Sequence, residues 1–75
     1  MVSKKLFKTI GELQTVQFLA TKCVADVGLH AEDGHTIIDA KSYIGMYALD
    51  FSKPILVVSD DEAFHARIRE IGENV

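Results

Sequence analysis

Apolar side chains recur along this chain with two rhythms, and each change of rhythm marks an element. Lys4 to Ile10 mixes lysine with Leu6, Phe7, Thr9 and Ile10, a run compatible with β-structure and too short for a helix; it reads as a first strand at a sheet edge, ended by Gly11. From Glu12 onward Leu13, Val16, Leu19, Ala20, Cys23 and Val24 recur at steps of three and four, which predicts an amphipathic helix. Cys23 falls on that stripe as a small core hydrophobe, and Phe18 lies off it, toward the sheet edge. Asp26 to Ala31 then alternates, with Val27, Leu29 and Ala31 on one face and Gly28 and His30 on the other. Asp33-Gly34 is a turn signal, because glycine accepts positive φ without steric cost, and His35 to Asp39 supplies the returning strand of a hairpin.

Asp39 to Phe51 forms the centre of the chain, and its rhythm is less tidy. On a helix headed by Ser42, the side chains of Tyr43, Ile44, Met46, Tyr47 and Leu49 occupy too much of the circumference for one buried stripe, so some must face water. That surplus predicts a docking surface. Ser42 stands at the N-cap, a role worth about 1 kcal/mol, and a phosphate on its hydroxyl would meet the positive end of the helix dipole. Gly45, costly inside a helix by about 1 kcal/mol, is explained there by close approach of the backbone to the sheet or a partner. After a polar loop at Asp50 to Lys53, Pro54 opens the continuous run Ile55 to Val58, an interior strand. Ser59 with Glu62 matches a capping box, Phe64, Ile68 and Ile71 continue a helical stripe, and Gly72 supplies a stop.

The resulting order is β-α-β-β-α-β-α. It predicts an α+β two-layer, open-faced sandwich: one antiparallel four-stranded sheet with three helices on one face, filling residues 1–75 as a single domain. A chain of 75 residues has apolar side chains for only one core. Its composition, 48% hydrophobic and 25% charged, is that of a folded protein. A net charge of -3 argues against nucleic acid or anionic lipid as a partner, and Lys4, Lys5 and Lys8 read as a solubilising edge. No apolar run is long enough for a membrane span or follows the N-terminal lysines as a signal peptide would. The lone Cys23 cannot form an internal disulfide, so the expected compartment is cytoplasmic. A monomer or weak dimer is expected.

Lys41-Ser42-Tyr43-Ile44-Gly45-Met46-Tyr47-Ala48-Leu49 resembles the Lys-Ser-Ile-Met-Gly-Val-Met-Ser-Leu stretch of HPr, the histidine-containing phosphocarrier family of the bacterial sugar phosphotransferase system. The serine and the glycine correspond, and apolar residues correspond in kind; the HPr-like element order is a second point of similarity. The resemblance implies that Ser42 is a site of regulatory phosphorylation by an HPr-type serine kinase. It also implies that Tyr43, Ile44 and Tyr47 dock onto a protein partner, such as a transcriptional or transport regulator in carbon catabolite control. Tyrosine in place of methionine or isoleucine departs from the family pattern. Ser42 acting only as an N-cap is the simpler alternative.

The same family carries phosphate on a histidine in a Gly-Ile/Leu-His-Ala-Arg-Pro-Ala motif just before the first helix. Here that place falls at Lys8 to Glu12, which holds no histidine, arginine or proline. Gly28-Leu29-His30-Ala31 reproduces part of the motif, but Glu32 and Asp33 follow, and carboxylates would repel a phosphohistidine. The expectation is therefore an HPr-like regulatory binding module that is not a histidine phosphocarrier. Phosphocarriage on His30 is the first alternative, and an orphan interaction domain keeping only the fold is another. His30 and His35 with Glu32 or Asp33 could hold zinc, but the spacing is not diagnostic, and neither metal nor cofactor is expected. His65 reads as solvent-facing. No nucleophile with an adjacent base, phosphate loop or interpretable acid pair is evident, so the chain is not expected to be an enzyme.

Overall fold

In the computed structural model the chain forms β1 (Val2–Leu6), α1 (Ile10–Thr21), β2 (Gly28–Ala31), β3 (Ile37–Asp39), a 3-10 turn at Gly45–Ala48, β4 (Ile55–Val58), α2 (Glu62–Arg67) and β5 (Glu73–Asn74). The structure describes residues 1–42 and 45–75, with Met46 and Tyr47 described by their backbone alone. The strands make one five-stranded sheet in the order β3-β2-β4-β1-β5, and every neighbouring pair is antiparallel.

Alternation along the strands decides which face is covered. In β4, Ile55 and Val57 are buried while Leu56 and Val58 are half-buried. The register sets Leu29 of β2 and Ser3 of β1 on either side of Val57, so these residues share its face. The core gathers Val27, Leu29, Ile55 and Val57 beneath Leu13, Val16 and Ala20 of α1 and beneath Phe64 and Ile68 at α2. On the other face Val2 and Ile37 remain 59% and 65% exposed. This is an α+β sandwich with one open sheet face, as expected, but with five strands and two α-helices among the described residues rather than four strands and three helices.

Both differences have local causes. The central helix shrinks to the 3-10 turn Gly45–Ala48, since so short a connection does not repay helix nucleation. Gly45 does make the expected close approach: a Cβ there would come within 2.9 Å of the Ile38 side chain. At the other end Gly72, at φ 70°, turns the chain back so that Glu73 and Asn74 add a strand beyond β1. Hence β1 is an interior strand and not an edge.

Cap chemistry corrects the helix boundaries. Thr9 accepts from the Glu12 amide and starts α1 at Ile10, so Gly11 lies inside the helix rather than before it. The helix ends at Thr21, leaving Val24 fully exposed and Cys23 half-buried beyond it. Phe18 is 58% exposed, with the Lys22 ammonium 5.2 Å from its ring centroid. At α2 the N-cap is Asp61, whose carboxylate accepts from the Phe64 amide. Ser59 sits two residues earlier and accepts from the Asp61 amide at 3.2 Å.

Lys5 belongs to the buried side of β1 and has no exposed surface. Its ammonium donates to the carbonyl of Ile68 and, at 3.2 Å, to that of Arg69. A cation thus closes the carboxyl end of α2, where free carbonyls and the helix dipole favour it. Burial pushes the Lys5 ammonium below its ordinary pKa, against the opposing pull of Glu70 and Glu12.

Candidate functional site

The amino end of α1 is the place where the family resemblance would set a reactive imidazole. Glu12 fills it instead. One carboxylate oxygen accepts from the Lys8 amide at 2.6 Å, and the other accepts from the Gly72 amide at 3.1 Å. The Glu12 amide donates to the Thr9 hydroxyl at 3.2 Å. Of the first-turn amides, that of Glu12 is thus bound to the chain's own Thr9 hydroxyl, while the Glu12 carboxylate takes up the Lys8 and Gly72 amides. The Lys8 amide above all, joined by those of Gly72 and Thr9 and by the Lys8 charge, holds the Glu12 carboxyl below its ordinary pKa.

A carboxyl held down in the folded state binds fewer protons than in the unfolded chain. Its contribution is therefore present above the unfolded pKa, near 4.5, and disappears as pH falls through the folded one. In Glu12→Gln, stability should fall less steeply with acid below that point than in the native chain, as followed by denaturant titration at successive pH values. Identical acid slopes would mean that Glu12 does not close the helix start.

Ser42 is exposed. Its amide donates to the Asp39 carbonyl at 2.9 Å, and its hydroxyl accepts from the Gly45 amide at 3.2 Å. It heads a 3-10 turn rather than an α-helix, but the local capping bond expected of it is present. Tyr43 and Ile44 lie outside the described residues, as does the side chain of Tyr47, so the docking positions have no structural account here.

His30 lies mid-strand in β2, paired with Leu56 on one side and Ile37 on the other. Its ring packs over Gly28, where an added Cβ would meet Nε2 at 2.9 Å. That position is on the open sheet face, away from any helix start. The Gly34 turn forms as expected, at φ 78°, with the Asp33 carboxylate accepting from the His35 amide at 2.8 Å. Among the described residues, no group of three or more His, Cys, Asp or Glu is placed to hold a metal ion, and no helix is long and apolar enough to cross a membrane.

The largest departure from the sequence reading is His65. It is buried, not solvent-facing, with 8% of its surface exposed. Its Nδ1 lies 2.6 Å from the Ser3 hydroxyl, and its Nε2 lies 2.8 Å from the Ser59 carbonyl oxygen. A hydroxyl and an imidazole are therefore adjacent after all, brought together by β1 and α2 from positions 62 residues apart. Both line an open cleft of about 640 Å³, together with Lys5, Glu62, Arg69 and Asn74 among others. The available sequence signal was faint: Ser3 shares a strand face with Lys5 and Phe7.

Cys23 makes a second unforeseen contact, donating its thiol to the Asp61 carboxylate at 2.9 Å. That hydrogen bond, with burial added, pushes the thiol pKa up, and the Cys23 thiol in turn heads the causes that lower Asp61. A thiol held protonated is a poor nucleophile, so the contact reads as structural.

No family model, curated protein or solved structure matches this chain.

Proposed function

We propose that this chain is a regulatory protein-binding module of HPr-like architecture that docks through the segment following Ser42, with phosphorylation of Ser42 as its switch, and that it does not carry phosphate on a histidine. The observation that carries this reading is the start of α1, where Glu12 accepts the Lys8 and Gly72 amides and occupies the place of the reactive imidazole. A phosphohistidine needs free donors around it, and a carboxylate in their midst repels it. The antiparallel order β3-β2-β4-β1 with helices over one face supports the HPr-like architecture. The exposure of Ser42, whose hydroxyl accepts from the Gly45 amide, supports access by a kinase. A phosphate on this hydroxyl would add close to two negative charges beside backbone amides of the turn.

Incubation with an HPr-type serine kinase and ATP, followed by intact mass and peptide mapping, tests the switch. One phosphate is expected, on Ser42, and none in Ser42→Ala. A chain that gains no phosphate, or keeps it in the variant, removes this reading. In parallel, enzyme I and labelled phosphoenolpyruvate should leave the chain unlabelled, whereas acid-labile label on His30 would favour a phosphocarrier.

A further inference from the structure

The cleft between β1 and α2 is lined by residues other than Ser42, and its chemistry stands on separate observations. In a neutral imidazole one nitrogen carries hydrogen and the other a lone pair. The Ser59 carbonyl can only accept, so the 2.8 Å contact assigns the hydrogen to Nε2. Nδ1 then presents its lone pair to Ser3, and the 2.6 Å contact is a hydroxyl donating to a base. This is the arrangement that activates a serine: nucleophile, base and a third group fixing the base's tautomer. Both partners are held from two sides. Ser3 is locked in the β1–β4 register opposite Val57, and Ser59, itself buried, donates its amide to the Met1 carbonyl at 3.1 Å.

We infer that Ser3 is a nucleophile toward activated carboxylic esters with short acyl groups, with His65 as its general base and the Ser59 carbonyl as positioning group. The Ser3 oxygen would attack the carbonyl carbon while its proton passes to Nδ1 of His65. The bond to the leaving oxygen then breaks, and Nδ1 returns the proton to that oxygen, leaving an ester on Ser3. Arg69 lines the same cleft and is the cation suited to the charge that develops on the carbonyl oxygen.

The native chain is incubated with p-nitrophenyl acetate and mapped by mass spectrometry, with hydroxylamine used to separate serine esters from stable lysine amides. General-base assistance should make Ser3 acetylate on the order of a hundredfold faster than the exposed Ser42 and Ser52 of the same molecule. His65→Gln should bring Ser3 down to their rate, and Ser3→Ala should remove the ester. Equal rates at the three serines, or a Ser3 rate unchanged in a folded His65→Gln, would overturn the inference. Nitrogen chemical shifts of His65 in the native chain give a reading independent of any variant: hydrogen on Nε2 with Nδ1 bare supports the assignment, and hydrogen on Nδ1, alone or together with Nε2, refutes it.

Discussion

Leu29→Ala should remove about 3 kcal/mol of stability, against a total on the order of 4 to 11 kcal/mol for a chain of this length. Leu29 has no exposed surface and pairs with Val57 in the central strand and with Ile38 beyond, beneath the helices. Truncation leaves a cavity that fixed strands on both sides cannot close. The companion substitution is Ile37→Ala, one strand away on the open face and 65% exposed, which should cost within about 0.5 kcal/mol. Denaturant unfolding of the two variants tests the sidedness of the whole sheet. Equal losses would mean that the faces have been assigned wrongly.

The second large effect is expected at Gly72. Its φ of 70° is a backbone conformation that side chains with a Cβ resist, and an added Cβ would stand 3.0 Å from both the Leu6 carbonyl oxygen and the Phe7 ring. Gly72→Ala should therefore cost about 2 to 3 kcal/mol, combining left-handed strain with local crowding. The loss should be readable at specific amides. The Val75 amide, bonded to the Lys4 carbonyl at 3.1 Å, should lose hydrogen-exchange protection as β5 detaches, and the Gly72 amide should leave Glu12. A silent Gly72→Ala would show that the terminal strand does not depend on this turn.

These sites connect three parts of the molecule through one corner. Glu12 ties the start of α1 to the turn at Gly72, and that turn sets β5 against β1. Lys5, on β1, holds the carboxyl end of α2 through the Ile68 and Arg69 carbonyls. The corner is thus cross-linked by the chain's own hydrogen bonds. It also positions Ser3, two residues before Lys5, against His65.

What the sequence determined was the set of local patterns. Alternation at Val27 and Leu29, the run Ile55 to Val58, the three-and-four spacing from Leu13 to Ala20 and the Asp33-Gly34 turn each specify an element through its immediate neighbours, and these elements are present. The α+β class and the open sheet face follow from them. Helix ends shifted because several hydroxyls and carboxylates compete for one cap: Asp61 prevailed over Ser59, and Thr9 began α1 ahead of Glu12. The tertiary structure alone decided the rest. A two-residue strand has no period to detect, so β5 exists only because Gly72 turns the chain beside β1. Burial of Lys5 and His65 depends on which strand meets which helix, and residue spacing carries no record of that. The contact between Ser3 and His65 has the same origin, since a hydrogen bond between distant positions is fixed by packing and not by pattern.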